Sequence, residues 1–247
     1  MKPSYFYILF LFLIILFSLW FSQKHHHYEP FSSNYAGVDV IYYINLDHRT
    51  DRNTEFLEEM KKANVPTEKI QRISGVNKPN QGDLGCSMSH IKTLNEFIQS
   101  NYETCIIFED DFTFYEPEKA ESRINDFINA KVDYDVCLLA GNVQDTDMIS
   151  YPAYSGIKQI KNTATASGYM FSKKYANTLL ANFSESVALL EQSYQNGKQD
   201  KNNQPYAIDQ YWKTLQSKDK WFLFFPKMGK QRQSYSDIMN GNVNYQV

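Results

Sequence analysis

Cysteine is scarce in this chain of 247 residues: Cys86, Cys105 and Cys137 are the only three, and no two of them stand at CxxC spacing. Without that spacing, neither a zinc site nor a disulfide framework is implied. A basic excess is missing as well. Lys and Arg number 25 against 28 Asp and Glu, a net charge of −3, and the pI is near 6.0. There is no cationic footprint for nucleic acid, so no nucleic-acid partner is expected. The chain also has no internal repeat.

One long apolar run is present, over residues 5–21. It carries no charge and, tyrosine rings apart, one hydroxyl, Ser18. Its length reaches the lower end of the roughly 17–25 residues that a membrane-spanning helix needs. A cleaved signal would have a shorter apolar core and a small-x-small exit, whereas this run leaves through Leu19, Trp20 and Phe21, which suit an interfacial aromatic belt. The expectation is a retained single-pass anchor over 1–22, a short stem over 23–37 and one domain over 38–247. Lys2 and the α-amine lie on one side of the run, Lys24 and three histidines on the other. The orientation read from this is type II, with the domain lumenal, in the ER or Golgi of a eukaryotic cell. His25, His26 and His27 read as solvated stem residues. Asn182-Phe183-Ser184 has the N-glycosylation pattern, near an expected helix end.

Past the stem, β-branched and aromatic runs alternate with amphipathic segments. Residues 38–46 (VDVIYYINL) suit a buried strand, and a helix follows from Thr50 or Asp51 to Asn64. Strands are predicted over 70–76, 104–108, 135–139, 165–171 and 221–225. Helices are predicted over 87–100, 117–129, 173–182 and 207–215. This alternation argues for an α/β sheet with helices on both faces, and in such sheets ligands sit beyond the carboxyl ends of the strands.

IIFEDDF at 106–112 places Glu109, Asp110 and Asp111 at one of those ends. Like charges packed so closely raise one another's pKa, so a divalent metal or a set of donors is needed to neutralise them. Hard oxygen ligands suit Mg²⁺ or Mn²⁺. The alternative is a solvated strand end. The loop after the first strand carries Asn45, Arg49 and Arg52, where backbone amides and a guanidinium can meet a nucleotide or phosphate. Alternatively, Arg52 pairs with Glu55 or Glu59 on its own helix. Gly85 permits close approach or an unusual backbone angle, and Ser89 and His90 on the next helix could face the site; an anchoring role for His90 competes. Cys86 reads as a small buried residue, not a nucleophile.

In order along the chain, INLDHRTDR (44–52), LGCSMSH (84–90), IIFEDDF (106–112), ASGYMFSKKYA (166–176), AIDQYW (207–212) and QRQSYSDI (231–238) resemble glycosyltransferase family 25, the lipooligosaccharide and procollagen galactosyltransferases. The resemblance spans about 38–240. It implies a GT-A-like, Rossmann-type nucleotide-sugar-binding sheet, a UDP-sugar donor (UDP-galactose or UDP-glucose), Mn²⁺ or Mg²⁺ at the acidic motif, and a glycan or glycoprotein acceptor attacked with inversion. By the DxD logic of such enzymes, Asp111 is the metal ligand and Asp110 a ribose or second metal contact, while Glu109 finishes the strand. Asp209 reads either as a first-turn helix carboxylate or as the general base, with Trp212 beside it as a sugar-binding wall.

One feature departs from the pattern. GT-A enzymes often complete the metal's coordination with a C-terminal histidine, yet the last histidine here is His90. Gln231, Ser234 or Asp237 would have to replace it, or water would. A metal-dependent phosphatase with an aspartyl nucleophile would need an Asp-x-Asp spacing that Asp110-Asp111-Phe112-Thr113 does not supply. The competing reading is a catalytically inactive, membrane-tethered glycan- or nucleotide-sugar-binding module of the same fold.

Overall fold

The computed structural model describes residues 34–197, 205–236 and 241–243. The apolar run at 5–21, the histidines of the stem and Asp237 lie outside the described residues. Among the described residues no helix is long and apolar enough to cross a membrane.

The elements are β1 (Val40–Asn45), α1 (Thr50–Lys62), β2 (Ile70–Ser74), α2 (Gly82–Gln99), β3 (Thr104–Glu109), β4 (Phe112–Phe114), α3 (Pro117–Asn129), β5 (Val136–Leu138), β6 (Met148–Ser150), β7 (Ile157–Ile160), β8 (Gly168–Ser172), α4 (Lys173–Gln195), α5 (Ile208–Tyr211), α6 (Lys213–Gln216), β9 (Trp221–Phe224), β10 (Gly229–Gln231), β11 (Ser234–Ser236) and β12 (Gly241–Val243). Eight strands form one sheet in the order β2-β1-β3-β8-β5-β9-β7-β6. β1 runs parallel to both β2 and β3, and β5 runs parallel to β9. β8 lies antiparallel between β3 and β5, and β6 and β7 form an antiparallel pair at the edge. A Rossmann-type sheet would be parallel throughout; this one is mixed. β6 and β7 are joined by a segment too short for a parallel crossover, so they pair as a hairpin.

Alternation along β1 explains how the sheet is covered on both faces. Ile41 and Tyr43 point to one core with Phe56 and Met60 of α1 and Ala120, Ile124 and Phe127 of α3. Val40 and Tyr42 point to the other with Leu94 and Phe97 of α2 and Leu179 and Phe183 of α4. Each large side chain so buried contributes roughly 1.5–3 kcal/mol. A second tie is polar: the buried Glu59 of α1 accepts from Thr113 Oγ1 (3.0 Å) and from the Phe114 backbone N–H (2.8 Å), fixing α1 to β4.

Three expected helices differ from their sequence-based bounds; the one expected over 207–215 is two short helices, α5 and α6. α2 begins at Gly82, ahead of the expected 87, because the glycines there do not end the helix. A Cβ on Gly85 would stand 2.6 Å from the Val76 carbonyl, so the residue is small to let the loop after β2 cross the helix. α4 continues past Asn182 to Gln195. Asn182 therefore sits mid-helix rather than near a helix end, 7% exposed, with its amide donating to Thr214 Oγ1 (3.1 Å). The nitrogen a glycan would occupy is covered and engaged.

Candidate functional site

The acidic triplet is held where β3 leaves the sheet. Glu109 N–H donates to Ser167 O (3.0 Å) and Asp110 N–H to Ile44 O (3.2 Å), which sets the carboxylates at the carboxyl ends of β1 and β3. A cavity of 370 Å³ opens there, within the size range of small-molecule sites. Its walls include all three carboxylates, Arg49, Arg52 and the loop over residues 76–80.

The three carboxylates are treated differently by their surroundings. Asp110 is fully engaged: Oδ1 accepts from Arg52 Nη1 (2.9 Å) and Oδ2 from Asn45 Nδ2 (2.7 Å). Asn45 is itself set by Arg72 Nε, which donates to its Oδ1 (2.9 Å). Burial raises the Asp110 carboxyl above its usual range, against the pull of Arg52 and Asn45. Asp111 has Arg52 at 3.5 Å from Oδ2, but its buried Oδ1 has no hydrogen-bond partner. Burial, then the neighbouring Glu109 and Asp110, push its carboxyl up to about 7 despite Arg52 and Arg232. A buried, unpartnered carboxylate oxygen lining a cavity is the feature a cation ligand would leave behind, so the donor set fits a hard divalent metal.

Glu109 does more than finish the strand. Its Oε1 accepts from Cys86 Sγ (3.2 Å) and lies 3.3 Å from His90 Nε2, and its Oε2 accepts from Gln231 Nε2 (3.1 Å). Burial opposes its charge, but the bonds from His90 and Cys86 and the field of Arg52 hold the carboxyl below its ordinary range. The Cys86 thiol is pushed well up by burial and by Glu109, which keeps it protonated and agrees with the reading that it is no nucleophile.

Other expected site residues fall into place unevenly. Arg49 lines the cavity while its guanidinium grips Asp51 through two bonds (3.0 and 2.9 Å). Arg52 pairs with Asp110 and Asp111, not with Glu55 or Glu59 on its own helix. Ser89 lines the cavity, but its hydroxyl donates to Gly85 O (2.7 Å) and accepts from Val76 N–H (2.8 Å), so it staples the loop to α2. His90 is fully buried behind Cys86 and Glu109, with Nδ1 2.8 Å from the Tyr169 hydroxyl. Asp209, in the first turn of α5, accepts the Thr165 N–H (3.0 Å). Burial raises its carboxyl and Glu109 adds to this, while the bond from Thr165, then Lys213 and His90, oppose it. Trp212 cannot be a sugar-binding wall: it is fully buried, donates to Thr163 O (2.8 Å) and packs edge-on against Trp221.

Pairing of β10 with β4 brings in two further residues. A Cβ on Gly229 would lie 2.4 Å from Phe112 Cζ, so only glycine lets the strands approach this closely. Gln231 thereby reaches Glu109, and Arg232 donates its backbone N–H to Asp111 O (2.7 Å) and its guanidinium to Asp110 O (3.0 Å), with Glu55 at 3.1 Å. Gln231 is one of the expected replacements for a C-terminal histidine. Arg232 stands in the QRQSYSDI motif, but the sequence gives it no role of its own, since an arginine in a polar segment carries no periodicity. Asp237 lies outside the described residues, as does the side chain of Ser234.

Residues 80–194 match the model of glycosyltransferase family 25 (LPS biosynthesis protein), which bears out the resemblance read from the motifs. Procollagen galactosyltransferase 1-B of Xenopus laevis is 23% identical over 174 residues, covering 58% of this chain and 28% of the relative. Procollagen galactosyltransferase 1-A of the same organism is 22% identical over the same coverage. The chain thus matches little more than a quarter of the length of these curated relatives. Among solved structures, mannose-1-phosphate geranyltransferase from Thermus thermophilus is similar at a TM-score of 0.45 and 8% identity, covering 76% of this chain and 73% of that one. A glycosyltransferase involved in glycosylation of the major capsid of PBCV-1 is similar at a TM-score of 0.37 and 10% identity, covering 75% and 92%. Likenesses of that size carry no argument about activity.

Proposed function

From the family-25 match of residues 80–194, we propose that this chain is an inverting, metal-dependent hexosyltransferase. It takes galactose or glucose from a UDP-sugar and passes it to a hydroxyl of a glycan or a protein-linked acceptor. The observation that carries this reading is the unpartnered, buried Oδ1 of Asp111 on the wall of a 370 Å³ cavity, beside an Asp110 whose two oxygens are already engaged. In the proposed assignment Asp111 is the open ligand for Mn²⁺ or Mg²⁺, and Asn45 and Arg52 hold Asp110 in register beside it. A bound divalent cation there would supply Lewis-acid stabilisation of the departing diphosphate.

The chain's own residues supply the rest. Arg49 lines the cavity and adds positive charge for the phosphates, which a strand-to-helix junction favours. Asp209 is assigned as the base that takes the proton of the acceptor hydroxyl. The Thr165 N–H fixes one of its oxygens and so orients the carboxylate, and burial raises its proton affinity toward that of a useful base. A screen of UDP-sugars with Mn²⁺, repeated in chelator, tests the assignment. Transfer or donor hydrolysis confined to the metal-containing samples is expected; no turnover with any donor, together with retained UDP binding, would favour the inactive module.

The anchor remains part of the proposal. Residues 5–21 are assigned as a single-pass type II span with the domain lumenal, supported by their composition and length. Protease protection of the domain in sealed microsomes is expected, and complete digestion from outside would reverse the orientation.

A further inference from the structure

We propose that Cys86, His90 and Glu109 form a three-ligand site for a borderline-soft divalent cation, Zn²⁺ by its chemistry, distinct from the carboxylate site at Asp111 and independent of the donor reading. Sγ of Cys86, a ring nitrogen of His90 and a carboxylate oxygen of Glu109 all lie within 4.8 Å of one another. Cys86 and His90 are one helical turn apart on α2, so they share the face that meets the end of β3.

The spacing matches the metal. Zinc bonds of about 2.3 Å to sulfur and about 2.0–2.2 Å to nitrogen and oxygen, at tetrahedral angles, separate the ligand atoms by roughly 3.3–3.6 Å. Here Cys86 Sγ and His90 Nε2 lie 3.2 and 3.3 Å from Glu109 Oε1. Little movement is needed to admit an ion between them. One thiolate, one imidazole and one carboxylate also form a softer donor set than the all-oxygen Asp111 site, so the two sites select different cations.

Partners behind the ligands are already in place. Tyr169 OH lies 2.8 Å from His90 Nδ1. The hydroxyl can donate to Nδ1 when Nε2–H faces Glu109, and can accept from Nδ1–H when the Nε2 lone pair faces a cation. Such a neighbour fixes ring orientation and tautomer in metal sites. Gln231 Nε2 holds the other oxygen of Glu109 at 3.1 Å, leaving Oε1 for the ion. On binding, the Cys86 S–H bond gives way to a sulfur–metal bond and the proton passes to solvent. Cys86 and Glu109 line the cavity while His90 is buried behind them, so the fourth position faces the cavity. Water or an oxygen of a bound ligand would complete a four-coordinate site.

Co²⁺ titration of the reduced, full-length chain tests the assignment by absorption, without reference to turnover. A thiolate-to-cobalt charge-transfer band with tetrahedral d–d bands is expected, and Zn²⁺ should displace both. Cys105 and Cys137 are fully buried in the sheet, so neither can supply the thiolate. Histidines 25–27 give no thiolate band. Cys86→Ser should abolish the band and Glu109→Gln should weaken Zn²⁺ binding, each with native circular dichroism. Tyr169→Phe should weaken it by about 10–100-fold, the usual cost of losing a ligand's supporting partner. Asp111→Asn should leave the band unchanged, which separates this site from the donor metal. Absence of the band in the folded parental chain, or its survival in Cys86→Ser, would overturn the proposal.

Discussion

Replacing Asp111 by Asn should make the metal-free protein more stable while removing its response to Mn²⁺. The residue is 7% exposed, its Oδ1 lacks a partner, and burial with the charges of Glu109 and Asp110 lifts its carboxyl from 3.8 to about 7. In the unfolded chain that carboxyl ionises near its ordinary value. Between these two values the folded state retains a proton the unfolded state has lost, so parental stability falls as pH rises across that interval. At 1.36 kcal/mol per pKa unit the penalty has a ceiling of about 4 kcal/mol above pH 7. Asn mimics the neutral acid but cannot reproduce its hydrogen bonding in full. A net gain of about 1–3 kcal/mol at pH 8 is expected, or roughly 3–10 °C in Tm for a domain of this size. The gain should shrink towards pH 5. Thermal melts in chelator at pH 5, 6.5 and 8, repeated with Mn²⁺, read both effects. Parental protein should gain stability from Mn²⁺ and the variant should not. A variant no more stable than the parent at pH 8 would show that Asp111 is not an uncompensated buried carboxylate.

The base and the loop can be tested in the same way. Asp209→Asn can still accept the Thr165 N–H, so melting temperature and UDP affinity should hold while transfer falls by about 10²–10⁴-fold. Near-parental turnover would return Asp209 to a purely structural role. Gly85→Ala would set a methyl against the Val76 carbonyl, at a cost of about 1–3 kcal/mol, and should displace the loop over 76–80 that walls the cavity. Weaker UDP binding with a lower Tm is expected; unchanged values for both would mean the loop is not pinned there.

Several elements were legible because local pattern and tertiary role agree. β1 alternates so that each face has its own core, and the helices starting at Thr50 and Pro117 carry apolar positions at helical spacing. Elsewhere the local signal described a different need. Turn residues before Cys86 suggested a loop, yet Gly85 belongs to α2 and is small to admit Val76. The helix expected over 173–182 stops at Asn182, yet in the structure it runs on, and Asn182 and Ser186 face partners at Thr214 and Tyr206. Trp212 read as a binding surface because an aromatic beside a carboxylate in sequence need not share its exposure.

By itself the sequence determined that three carboxylates end a buried strand, and that such a cluster calls for positive charge. Only the tertiary structure decided how each is used, because their partners come from distant segments: Asn45 and Arg52 from the loop and helix after β1, Cys86 and His90 from α2, Gln231 and Arg232 from the β10 pairing. Spacing along the chain gave no zinc signature, since the third ligand of the Cys86–His90 pair lies on a different element. Surroundings then separate three chemically similar acids, lowering the proton affinity of Glu109, which gains donors, and raising that of Asp111, which keeps one oxygen without any. That difference depends on solvent exclusion and on donor positions in space, neither of which is a property of a linear motif.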